Sequence, residues 1–177
     1  MKKLLYAIMA FGMLACGKNG SNAPANQLAG NDFESLEGWT GDMVIGSLTK
    51  DKAHSGRYAI KVDPNIEYSA GYNNLLGKLS ASKLQKLKVH AWVNIPNGKA
   101  ASVLVVCVLD PVTNKQLYWD AIGLGKEVKV FNKWVEVEKT FTLPAEATYN
   151  HKLSVYLWRT SSPETAYLDD LSIEKAE

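Results

Sequence analysis

The run Leu87-Lys88-Val89-His90-Ala91-Trp92-Val93-Asn94-Ile95 places apolar residues at every odd position and mixed residues at the even ones. A period of two is that of a β-strand with one face in a core and the other free. Pro96-Asn97-Gly98-Lys99 follows. Asn-Gly between two apolar runs signals a hairpin, which predicts that Ala101 to Leu109 returns antiparallel to the first strand. Further alternating or β-branched runs, separated by Gly, Pro, Asn and Asp, predict strands over Asp42 to Leu48, Arg57 to Val62, Ile66 to Tyr72, Gln116 to Ile122, Trp134 to Leu143, Lys152 to Trp158 and Ala166 to Glu174. Helical periodicity is nearly absent, and a single helical turn is expected at Ala81 to Leu87.

With the Asn97 turn at the centre, the predicted strands nest outward in pairs. Ile66–Tyr72 meets Gln116–Ile122, Arg57–Val62 meets Trp134–Leu143, and Asp42–Leu48 meets Lys152–Trp158. Nested antiparallel pairing of this kind gives an all-β fold, a jelly-roll β-sandwich of two antiparallel sheets.

The first residues fall outside that pattern. Lys2 and Lys3 precede an apolar run from Leu4 to Leu14 that is too short to span a bilayer, and the combination reads as a signal peptide over residues 1–15. Gly12-Met13-Leu14-Ala15-Cys16-Gly17 resembles the bacterial lipobox, with Met13 in place of the usual Leu. The resemblance implies acylation of Cys16 and an exported protein anchored to the envelope by lipid alone, in the outer membrane, since Gly17 carries no acidic retention signal. The alternative is an ordinary secretory peptide cut near Ala15, with Cys16 left as a thiol. Residues 16–30, rich in Gly, Asn, Ala and Ser, read as a flexible tether, and 31–177 as one domain.

Lys2 and Lys3 are two of the chain's 20 basic residues, so the remainder carries 18 basic against 18 acidic. A chain so balanced lacks the basic stripe that nucleic-acid binding requires. The two cysteines, Cys16 and Cys107, exclude a disulfide framework, and Cys107, within Val103 to Leu109, reads as core.

No catalytic centre is expected. His54, His90 and His151 stand in no metal-ligand or nucleophile-activating spacing, and no nucleophile elbow or phosphate loop occurs. The informative excess is aromatic, with eight Tyr and five Trp. Leu153, Val155 and Leu157 share one face of their strand, which sends Tyr156 and Trp158 to the other. Tyr68 and Tyr72 share a face by spacing. In the nested pairing these rings, with Tyr118 or Trp119, line one surface on which a sugar's C–H face packs while Asn73, Asp120 or Arg159 bind its hydroxyls. The alternative is that the rings cover a second hydrophobic layer. Trp39 and Trp134 are expected in the core, and Trp92 is undecided.

Three separated pieces carry a family resemblance. They are Asn31-Asp32-Phe33-Glu34-Ser35 with Gly38-Trp39, then Ala53-His54-Ser55-Gly56-Arg57-Tyr58-Ala59-Ile60-Lys61-Val62, and Tyr167-Leu168-Asp169-Asp170-Leu171-Ser172-Ile173. Together they resemble the jelly-roll, galactose-binding-like carbohydrate-binding modules found beside bacterial glycoside hydrolases. The resemblance implies a structural calcium ion held by Glu34 and by Asp169 of the Asp169–Asp170 pair, with loop carbonyls completing the shell. An inward Asp169 needs either a cation or hydrogen bonds, and both readings stand open.

The function expected is therefore a non-catalytic glycan-binding lipoprotein that holds a polysaccharide or oligosaccharide at the envelope, beside a partner uptake system or hydrolase. The alternative is a structural or protein-interaction lipoprotein with the same sandwich and no sugar site.

Overall fold

A computed structural model describes residues 25–39 and 46–177. The strands are β1 (Gln27–Asn31), β2 (Leu48–Thr49), β3 (Ala59–Val62), β4 (Tyr68–Leu75), β5 (Lys86–Asn94), β6 (Val103–Leu109), β7 (Gln116–Gly123), β8 (Val135–Thr142), β9 (Lys152–Trp158) and β10 (Ala166–Ala176). Two single-turn helices, α1 (Leu76–Leu79) and α2 (Leu124–Glu127), lie between them. The larger sheet runs β2-β3-β10-β5-β8, with β1 also on β10, and the smaller runs β4-β9-β6-β7; every pairing is antiparallel. This is the expected two-sheet sandwich.

The inward faces carry the apolar half of each alternation. Leu87, Val89, Ala91 and Val93 of β5 meet Leu153, Val155 and Leu157 of β9 in one continuous core, and all seven are fully buried. Central β6 is buried along nearly its whole length, which is why its sequence runs apolar without alternating. Cys107 sits on that strand, buried as expected, and burial pushes its thiol above the usual range.

The predicted pairings do not hold. Pro96 to Ser102 carries the chain from β5 in one sheet to β6 in the other, so these strands are not partners. The Asn97 side chain accepts from Lys99 N at 2.8 Å and donates to Glu164, a local turn within a longer crossover. With that centre removed the nesting fails: β4 pairs with β9, and β3 pairs with β2 and β10. The expected helical turn at Ala81 to Leu87 is also absent, since β5 already begins at Lys86. At the N-terminal side β1 begins at Gln27, so the last residues read as tether are a strand on β10. Cys16 and most of the strand expected at Asp42 to Leu48 lie outside the described residues.

Candidate functional site

The outer face of the smaller sheet is built by cross-strand rows. One row is Asn73 (β4), Ser154 (β9), Cys107 (β6) and Trp119 (β7); the next is Gly71, Tyr156, Val105 and Ala121; a third brings Tyr68 beside Trp158. Four of the expected aromatic residues therefore share this face. Tyr68 is 55% and Trp119 44% exposed, while Tyr156 and Trp158 are half-buried. Tyr68 lies near-parallel to Trp158 and edge-on to Tyr156, at centroid distances of 6.0 and 5.9 Å, and Trp119 stands edge-on to Trp158 at 6.4 Å. Such contacts hold each ring's orientation while leaving its outer surface free.

Beside the rings opens a cleft of about 310 Å³ lined by Tyr68, Ser69, Asn73, Cys107, Leu109, Ser154 and Tyr156. No side chain in that lining carries a formal charge at neutral pH. Ser154 Oγ donates to Asn73 Oδ1 at 2.6 Å and Asn73 Nδ2 donates to Gly71 O at 3.2 Å, which leaves one amide hydrogen of Asn73 to serve as a donor on the cleft wall. Gly71 makes room for Tyr156: a Cβ there would meet Val155 O at 2.2 Å and Tyr156 Cβ at 2.7 Å.

Trp158 is fixed from behind. Its indole N–H donates to Glu67 Oε1 at 2.7 Å, and Arg159 Nε donates to Glu67 Oε2 at 2.8 Å. The indole bond, then Arg159, hold the Glu67 carboxyl below its usual range. Arg159, expected as a sugar contact, is committed to this support, and the role of Glu67 is not legible in the sequence because it depends on the β4–β9 register.

Tyr72 and Tyr118 do not join the face. Tyr72 is 5% exposed and stacks edge-on against Trp39 in the core. The cause is a register shift between Tyr68 and Gly71, which reverses the alternation that a spacing of four implies. Ser69 stabilises the irregularity by accepting from Leu157 N at 3.0 Å. Tyr118 is the neighbour of Trp119 and points to the opposite side, toward Asp120, with which it forms a long bond of 3.4 Å. Burial and that carboxylate push its phenol up to about 12. Asp120 is itself bound by Lys139 across the sandwich at 2.8 Å, so it too is turned from the cleft.

The three carboxylates of the expected calcium site gather where β1 and β3 meet the same side of β10. Asp169 is fully buried and accepts from His54 N at 2.6 Å, Ser55 N at 3.1 Å and Asp170 N at 2.8 Å. Asp170, at a left-handed φ of 46°, meets His54 Nδ1 at 2.6 Å and Ser55 Oγ at 2.7 Å. Glu34 Oε1 accepts from Arg57 N at 2.6 Å and Tyr58 N at 2.8 Å, and Gly56 at φ 56° has no Cβ to collide with that carboxyl. Those amide bonds hold Glu34 below its ordinary value, whereas burial raises Asp169 against its three bonds. The 54–58 loop thus presents N–H donors, where a calcium ion requires oxygen atoms. Among the described residues no three metal-ligating side chains converge. The arrangement fits hydrogen-bonded carboxylates and does not form a cation cage.

The outer face of the larger sheet places the remaining tryptophans. Trp92 stacks on His54 at 3.9 Å and 10°, and Trp134, expected in the core, is half-buried with its edge to the same imidazole. Trp39 is in the core as expected.

No family model matches the sequence, and no curated protein matches it. Solved structures do. The chain is similar to the CBM22-1 xylan-binding domain of Paenibacillus barcinonensis Xyn10C, at 20% identity and a TM-score of 0.54, over 86% of this chain and 97% of that one. A xylan-binding domain of carbohydrate-binding module family 22 matches at 18% identity and 0.56, over 87% and 97%. The CBM22-1–GH10 modules of Clostridium thermocellum xylanase 10B, complexed with xylohexaose, match at 18% and 0.55, over 87% of this chain and 29% of that one. The protein has the jelly-roll fold of carbohydrate-binding modules.

Proposed function

We propose that this protein is a non-catalytic glycan-binding module, exported and lipid-anchored at the cell envelope, whose ligand lies in the cleft beside Tyr68, Tyr156, Trp158 and Trp119. The observation that carries the reading is the open aromatic face. Large rings on a sheet otherwise built for burial are held in place by neighbours and left uncovered outward, beside a mainly apolar cleft in which Leu109, Cys107 and the tyrosine rings adjoin the Asn73 amide and the Ser154 hydroxyl. Ring faces accept the C–H surface of a pyranose, and Asn73 and Ser154 match its hydroxyls.

An uncharged lining favours an uncharged polysaccharide. Hydrolysis needs two carboxyls about 5 to 9 Å apart across the scissile bond, and the cleft lining offers none. Among the similar solved structures one is a xylan-binding domain and another is complexed with xylohexaose, so those are the first ligands to test. Isothermal titration with xylohexaose, followed by a glycan array, tests the proposal. Binding that survives Trp158→Ala together with Tyr68→Ala places the ligand elsewhere, and silence across the array favours a structural or protein-interaction role.

A further inference from the structure

A further row completes the outer face of the smaller sheet. Beyond Asn73, Ser154 and Cys107 the register continues to Leu75 on β4, Lys152 on β9, Leu109 on β6 and Gln116 on β7. Leu109 lines the cleft, so its partner Lys152 projects from the same face at the end of the cleft. Of the side chains that these rows place on the face, Lys152 is the one that carries a formal charge. At the opposite end Glu67 and Arg159 are bonded to each other, and Glu67 also to Trp158.

Lys152 also stands apart from the other lysines of the strands, which number six with it. Lys61 bonds Asp51 at 2.8 Å, Lys88 bonds Glu138 at 2.7 Å and Lys139 bonds Asp120 at 2.8 Å. Lys86 donates to Glu177 O, and Lys175 to Ser82 Oγ at 3.3 Å. Among the described residues the Lys152 ammonium has neither an ion pair nor a hydrogen-bond acceptor, although the residue is half-buried. Asp110, which follows Leu109, is bonded instead to the amides of Val112 and Thr113, at 2.8 and 2.9 Å. Burial raises the Cys107 thiol while the Ser154 bond and the Lys152 charge act against it, so the field of Lys152 is felt by a residue of the cleft lining. A partly desolvated ammonium with no counter-ion gains when an anion is brought to it.

We infer that the ligand of this cleft carries one carboxylate, that of a uronic acid unit, which pairs with Lys152 while uncharged sugars of the same chain lie on the Tyr68–Trp158 rings. The inference rests on the glycan-binding reading above and adds a single acidic unit to an otherwise uncharged polysaccharide. Between Lys152 and Trp158 β9 spans about 20 Å, at about 3.3 Å per residue, so a ligand several units long is needed to meet both ends. One cation selects one anion. A polyuronide would lay further carboxylates over Cys107, Val105 and the rings, where they would lose hydration and find no counter-charge.

The test is an array of oligosaccharides built on xylose, glucose, mannose or galactose, each carrying one uronic acid unit and each printed beside its carboxyl-reduced counterpart, probed with the full protein. The acidic member of at least one pair should bind several-fold more tightly than the reduced member. Titration of that pair in solution should show the gap closing at about 1 M salt, where the screening length falls to about 3 Å. Lys152→Gln should abolish the gap, and Lys152→Arg, which keeps the charge, should retain most of it. Trp158→Ala should weaken both members alike. Reduced members that bind as well as acidic ones overturn the carboxylate and leave the cleft standing. A preference for the acid that survives Lys152→Gln overturns the role of Lys152. Silence across the whole array overturns the inference together with the glycan-binding reading on which it rests.

Discussion

Tyr68 and Trp158 are register partners on β4 and β9, and their rings lie 19° from parallel with centroids 6.0 Å apart. Both remain open to solvent on the outer side of a sheet whose inner side is core. Ligand binding and fold stability can therefore be separated by residue. Trp158→Ala should lower glycan affinity by about 1 to 3 kcal/mol, the scale of a flat ligand stacked on an aromatic ring, with a small loss of melting temperature. Tyr72→Ala should do the reverse, costing about 3 to 5 kcal/mol of stability while the folded fraction still binds. Titration and thermal melting on the same two variants decide it; an affinity loss confined to Tyr72→Ala would reject the cleft.

Glu67 should act on binding without touching the ligand. Its carboxylate fixes the Trp158 indole through one oxygen and is fixed by Arg159 through the other. Glu67→Ala should reduce affinity by several-fold and broaden the Trp158 fluorescence response to ligand, whereas Glu67→Gln, which keeps an acceptor for the indole, should recover part of the loss. Equal effects of the two substitutions would show that charge near the cleft matters and orientation does not.

A third expectation concerns acid. Glu34 has its carboxyl depressed by the Arg57 and Tyr58 amides. A group whose folded value lies below its unfolded one adds stability in full above the unfolded value, near 4.5, and loses it as pH falls through the folded value. Asp169 has the opposite sign, because burial raises it, so its ionisation opposes folding as pH climbs through the raised value. The acid limb of a melting-temperature profile between pH 7 and 3 should accordingly flatten in Glu34→Gln. Calcium and chelator should leave the wild-type profile unmoved; a rise in melting temperature with millimolar calcium would restore the ion to Glu34 and Asp169.

Replacing Cys16 by Ser should release the protein from the membrane fraction, because acyl chains are the apolar anchor that the leader implies. Fractionation with intact-mass analysis checks this. Wild-type protein found soluble and without added mass would leave ordinary secretion as the account.

Much of this architecture is legible in the sequence wherever alternation is uninterrupted. Leu153, Val155 and Leu157 against Tyr156 and Trp158 predict both faces of β9, and the odd positions of Leu87 to Ile95 predict the core face of β5. Parity fails where a residue is added. The irregularity between Tyr68 and Gly71 moves Tyr72 into the core, and it is invisible beforehand because it is fixed by Ser69 bonding a distant amide, Leu157 N. Pairing fails for a different reason: Asn97-Gly98 forms a turn without returning the chain to the same sheet, since β6 is required between β9 and β7. The nested pairing nevertheless placed β4, β7 and β9 together, so the shared sheet was expected from pairings that do not occur. For the carboxylates, residue types are visible in sequence, but whether a loop offers N–H or C=O is a backbone property.

The final strand has a consequence for how the molecule comes into being. β10, eleven residues long, bonds to β5 along one side and to β3 and then β1 along the other. Three strands made earlier thus wait for the last one, and Gln27 meets its partner Glu174 only when nearly the whole chain is available. Loop closure over such separations is slow. A chain emerging N-terminus first cannot complete its larger sheet until β10 has been made, and until then β1, β3 and β5 lack the strand that joins them. Removing residues 166–177 would therefore leave β1, β3 and β5 without the strand that joins them, and the truncated chain should be degraded rather than accumulate as a smaller domain.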